Sequence, residues 1–105
     1  MLSYAHGASD DPLLGETIGE NLERTAARVP DAEALVSCHQ GVRYTYAAFN
    51  EAVDRLASGM LSAGLRKGDR VGVWGPNCAE WVLTQYATAK LGVILVNINL
   101  SLIHI

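Results

Sequence analysis

The stretch Gly64–Val96, GLRKGDRVGVWGPNCAEWVLTQYATAKLGVILV, constrains the fold of this chain more than any other. Two short apolar runs bracket a segment of helical composition, and strand, helix and strand within about 30 residues make a βαβ unit. Arg70–Trp74 reads as the first strand, ended by Gly75-Pro76. Cys78–Leu91 is rich in Ala, Leu, Gln and Lys with no internal Gly or Pro, which predicts a helix. Asn77 stands where an N-cap belongs, and Glu80 follows three residues later to complete the cap. The apolar residues of this helix cover more than one stripe, so it is expected to be buried on more than one side. Gly92 is placed to take a left-handed conformation at its end. Val93–Ile98 is then an almost unbroken apolar run, as expected of a strand covered on both faces in a parallel sheet.

The preceding segments supply packing partners. Met1–Gly15 mixes Ser, Asp, Gly and Pro without periodicity and reads as a poorly ordered leader. Thr17 is an N-cap with Glu20 as its capping-box partner, and Ile18, Leu22, Thr25, Ala26 and Val29 form one apolar stripe. Glu20 and Arg24 are spaced as a helical ion pair, and Pro30-Asp31 ends the helix. Glu33–Cys38 and Val42–Thr45 flank His39, Gln40 and Gly41, which predicts a β-hairpin with a three-residue loop. Thr45 caps the next helix, whose Phe49, Val53, Leu56, Ala57, Met60 and Leu61 face one way and Glu51, Asp54, Arg55 and Ser58 the other. Gly64 followed by Leu65 closes that helix. The fold class that follows is α/β: a partial three-layer domain built around a βαβ unit.

Composition narrows the function classes. The 105 residues suffice for one domain, and 50% of them are hydrophobic against 18% charged. A net charge of −3 gives no basic footprint for nucleic acid. No run reaches the roughly 18 apolar residues of a membrane span. Two widely separated cysteines do not make a disulfide framework, and the opening MLSYAHGASDDP lacks a secretory n- and h-region, so a cytoplasmic protein is expected.

Four groups of residues are candidates for chemistry. Asn77 begins a helix at the carboxyl end of a strand, where open α/β sheets hold ligands, but GVWGPN is neither a dinucleotide fingerprint nor a phosphate-binding P-loop. Cys38, His39 and Cys78 lack zinc-ligand spacing. Arg66, Lys67 and Arg70 around Asp69 read as a solvated turn, and Trp74 and Trp81 as core aromatics. No nucleophile, base and oxyanion donor come together in the sequence. No catalytic, cofactor-binding or metal-binding residue is therefore assigned.

The succession TIGENLERTAARVPDAEALV, followed by RYTYAAFNEAVDRLASGMLSAGLRKGDRVGVWGPNCAEWVLTQYATAKLGVILVNIN, closely resembles the start of AMP-forming acyl-CoA synthetases of the adenylate-forming superfamily. NCAEWVLTQYATAKLG and VNIN are most similar to bacterial fatty-acid–CoA ligases. The resemblance spans residues 16–99 and implies the N-terminal part of an AMP-binding domain, a fragment without catalytic competence of its own. It implies that the parent protein uses a fatty acid, ATP, Mg2+ and CoA, and that this fragment binds none of these cofactors. The family's Ser/Thr/Gly-rich phosphate loop, its aromatic-Gly-x-T-E motif, its ribose-binding Asp and its catalytic Lys all fall downstream. Their absence leaves the remainder of its own chain as the fragment's expected partner. Ala48 departs from the family's usual Glu. So does Leu100–Ile105, LSLIHI, where the family continues with Pro and a Tyr-Arg pair. That hexapeptide translates CTG TCT CTT ATA CAC ATC, a transposase-library adapter, and is expected to be adapter read-through. Two other readings stand beside this one: a stand-alone α/β binding module, and an aryl- or amino-acid-activating relative.

Overall fold

The computed structural model describes residues 14–98. The expected leader (Leu14 and Gly15 apart), Asn99 and the Leu100–Ile105 hexapeptide lie outside the described residues. The elements in order are α1 (Ile18–Arg28), β1 (Glu33–Ser37), β2 (Val42–Thr45), α2 (Tyr46–Ser62), β3 (Arg70–Trp74), α3 (Ala79–Leu91) and β4 (Ile94–Ile98). β1 and β2 form an antiparallel hairpin. β3 and β4 pair in parallel, with α3 as the crossover that defines the βαβ unit.

Local chemistry explains most of these boundaries. Thr17 and Glu20 form a reciprocal capping box on α1. The Thr45 side chain accepts the Ala48 N–H on α2, at 3.2 Å. α2 closes in a Schellman motif: Leu65 N–H reaches Met60 O, Gly64 N–H reaches Leu61 O, and Gly64 has φ 99. Gly92, at φ 74, ends α3 with its own N–H and that of Val93 both directed at Thr88 O. The loop between β1 and β2 is a four-residue turn, Cys38–Gly41, one longer than expected because β1 stops at Ser37. The expected Glu20–Arg24 pair does not form. Glu20 is occupied by the Thr17 N–H, and Arg24 turns back to Glu16 at 2.5 Å.

The core is where the three helices meet: Leu22 of α1, Phe49, Val53 and Ala57 of α2, and Ala87 of α3. Phe49 stands edge-on to Tyr44 and to Tyr86, at centroid distances of 6.2 and 5.5 Å. α3 packs against α1, α2, β1 and β4, as its broad apolar distribution requires.

The βαβ sheet departs from expectation. Register pairs Arg70 with Ile94, Gly72 with Val96 and Trp74 with Ile98, and all six residues of this face are exposed, Trp74 at 67%. The half-buried Val71, Val73 and Leu95 lie on the other face. The expectation of a strand covered on both faces is thus corrected: among the described residues, helices cover one face only. β4 also starts at Ile94, since the Val93 N–H is spent on the α3 terminus.

Candidate functional site

The turn from β3 into α3 is where a ligand would sit in an open α/β sheet, so its donors and acceptors decide what it can do. Gly75 O accepts the Trp81 indole N–H at 3.0 Å, which folds the turn onto the first turn of the helix. Trp81 is half-buried by this, whereas Trp74 stands on the bare sheet face and not in the core. Asn77 does not cap α3. The N-cap residue is Cys78, and its side chain makes no capping hydrogen bond.

The cap comes from elsewhere in the chain. Gln40, in the hairpin turn, accepts the Ala79 N–H through its side-chain oxygen at 2.8 Å and donates its amide to Glu80 at 3.0 Å. The same oxygen accepts the hydroxyl of buried Ser37 at 2.7 Å, which orients the amide. The hydrogen bond from Gln40 holds the Glu80 carboxyl below its ordinary 4.5, helped by the backbone N–H of Glu80, the Cys78 thiol and the electrostatic influence of His39, against slight desolvation. The buried Ala79 N–H, a donor that an anion at this helix start would use, is therefore already bonded within the protein. Gln40→Ala is expected to leave the Ala79 N–H and the Ser37 hydroxyl unpaired, at a cost of about 1–3 kcal/mol. A lower urea midpoint, with amide exchange quickened at the start of α3, checks it.

Arg66 and Asp69 are also committed to structure. Arg66 donates its guanidinium to Leu61 O and Leu65 O, at 3.1 and 2.8 Å, closing the carbonyl end of α2. Asp69 accepts the Arg66 N–H at 2.8 Å within the same turn. Lys67 lays its methylenes over Gly92, and Arg70 lies on the bare sheet face. The structure does not bring these three cations into a phosphate cradle. Cys38, His39 and Cys78 line one small crevice, but among the described residues no group of three His, Cys, Asp or Glu is arranged for a metal.

Sequence reading missed a polar node. Lys90 of α3 reaches Glu23 of α1 and both Asn50 and Asp54 of α2, the last two at 2.5 and 2.7 Å. Its side chain is 12% exposed. Gly19 lets the Lys90 stem pass, since a Cβ there would lie 3.0 Å from Lys90 Cγ. Burial opposes the charge on Lys90, but Asp54 and Glu23 outweigh it and raise the ammonium above its ordinary 10.5. Chiefly through its hydrogen bond from Lys90, Glu23 falls below its ordinary 4.5. A raised cation stabilises fully below its unfolded value and loses that contribution as pH climbs past it. A lowered carboxylate stabilises above its unfolded value and loses that as pH falls. The node is thus expected to hold between 4.5 and 10.5 and weaken at both ends. Urea midpoints against pH check this, and Lys90→Met is expected to flatten the profile at both ends. An open groove of about 510 Å3 lies beside the node, with Thr17, Glu20 and Lys67 on its walls.

Comparison with known proteins sets this geometry in context. The sequence profile described as "AMP-binding enzyme" matches residues 22–103. Medium-chain acyl-CoA ligase ACSF2, mitochondrial, of Rattus norvegicus and of Homo sapiens are each 55% identical over 98 residues. The match covers 93% of this chain, and the chain spans 16% of the length of those relatives. A fatty acyl CoA synthetase structure from Mycobacterium tuberculosis superposes with a TM-score of 0.76 at 38% identity. That superposition covers 79% of this chain and 16% of the solved one. The expectation of a cytoplasmic protein is corrected here, because these medium-chain ligases are mitochondrial by name. The criterion behind it, a missing secretory h-region, bears on secretion and not on organelle import.

Proposed function

The chain belongs to the AMP-binding enzyme family, and on that premise we propose that it is the N-terminal portion of an ATP-dependent, AMP-forming fatty-acid–CoA ligase. In the proposed reaction the acid's carboxylate attacks the α-phosphorus of ATP and expels pyrophosphate. The CoA thiol then attacks the acyl carbon of the adenylate, forming the thioester and releasing AMP. The observation that carries this reading is the 55% identity to medium-chain acyl-CoA ligases across 93% of the chain.

In this reading the described residues are scaffold. The proposal that they bind none of ATP, Mg2+ or CoA is supported by prior commitments of their polar groups: the Ala79 N–H is bonded to Gln40, Arg66 closes α2, and the Lys90 ammonium is held by Glu23, Asn50 and Asp54. The groups that bind nucleotide, metal and thiol belong to further polypeptide, in keeping with a chain that spans 16% of its relatives' length.

The test is to recover the source DNA beyond codon 99 and express the continued reading frame. The expected result is an in-frame Ser/Thr/Gly-rich phosphate loop and a product that forms acyl-CoA from a medium-chain or longer acid. Pyrophosphate should appear on adding acid and ATP, and AMP release should depend on CoA. Turnover by the 105-residue chain alone, or a continued frame without the loop, overturns the proposal.

A further inference from the structure

Cys38 and Cys78 line one crevice of about 260 Å3, with Ser37, His39 and Asn77 also in its walls. Both thiols are free, Cys38 exposed and Cys78 half-buried. Gln40, two residues after Cys38, holds the two segments together by accepting the N–H of Ala79, the neighbour of Cys78. The ligase reaction proposed above assigns neither thiol a part. Since no three-ligand metal group exists among the described residues, a shared ion does not account for the pairing.

We propose that Cys38 and Cys78 are a redox pair, joined by a reversible disulfide when the protein meets a low-molecular-weight disulfide. The more exposed Cys38 thiolate attacks one sulfur of the small disulfide, forming a mixed disulfide and expelling one small thiolate. The Cys78 thiolate then attacks the Cys38 sulfur, forming the protein disulfide and expelling the second. Two protein thiols are oxidised, one small disulfide is reduced to two thiols, and the two protein protons end on the departing thiolates. A disulfide holds its Cα atoms roughly 4.4–6.8 Å apart. Cys38 is the first residue of the hairpin turn, Cys78 is the N-cap of α3, and neither belongs to a helix or strand. The bond adds a covalent lock to the Gln40 hydrogen bonds with Ala79 and Glu80, so the hairpin turn can no longer lift from the start of α3.

The experiment uses the full-length protein treated with oxidised glutathione, followed by alkylation of remaining thiols and peptide mapping without reduction. The expected result is one linked peptide pair joining Cys38 and Cys78, released by dithiothreitol. Cys78→Ser is expected to stop the reaction at the first step and leave a glutathione adduct on Cys38. Separate glutathione adducts on both cysteines of the wild-type protein overturn the proposal, as does alkylation of both after oxidant treatment. The wild-type map is decisive even if the serine variant does not fold.

Discussion

Phe49→Ala is expected to cost about 3–5 kcal/mol of folding free energy. Phe49 is 3% exposed and sits at the junction of α2, α3 and the hairpin. Its ring is edge-on to both Tyr44 and Tyr86, so truncation removes two aromatic contacts as well as buried area. The surrounding helices are tied by the Lys90 node and cannot close on the void freely. Urea denaturation of the full-length protein, followed by far-ultraviolet circular dichroism, reads the loss as a lower midpoint. A change below about 1 kcal/mol would mean that this junction is not the core.

The second large effect concerns the bare face of the β3–β4 sheet, where Trp74, Ile94, Val96 and Ile98 stand together. Apolar patches and open strand edges of this kind drive association. The 105-residue chain expressed by itself is therefore expected to be insoluble or molten, without a cooperative melt. Val96→Lys with Ile98→Lys is expected to raise its soluble yield severalfold. The same pair in the full-length protein, where the proposed remainder of the chain covers that face, is expected to cost about 3 kcal/mol or more through burial of unpaired charge. Soluble fraction after centrifugation and thermal melts of both proteins read the contrast. A cooperative melt from the unsubstituted 105-residue chain would favour the stand-alone module instead.

What could be read from the sequence follows the range of the interactions. Thr17 with Glu20, Thr45 with the Ala48 N–H, and Gly64 with Leu65 act within a few residues, and each sits where the local pattern places it. The βαβ unit was legible for the same reason: strand, turn and helix periods are properties of short windows. Asn77 shows the limit. Residue type alone made it the cap of α3, but a side chain in the hairpin holds that position. The Lys90 node was invisible because Glu23, Asn50 and Asp54 come from two other helices. The apolar run of β4 was misread as burial on two sides because a sequence pattern records what a strand is suited to touch, not what lies over it here. As for the candidate site, only the geometry shows that the Ala79 N–H, the Arg66 guanidinium and the Lys90 ammonium already have partners within the protein.

The dependence of α3 on Gln40 also sets an order of events during synthesis. Gln40 lies 39 residues before Ala79, so the hairpin is synthesised before the helix it caps. α3, lacking a cap of its own, gains its first-turn partner only on meeting that waiting turn. The first turn of α3 thus depends on a contact 39 residues away in sequence, which only closure of that long loop can make.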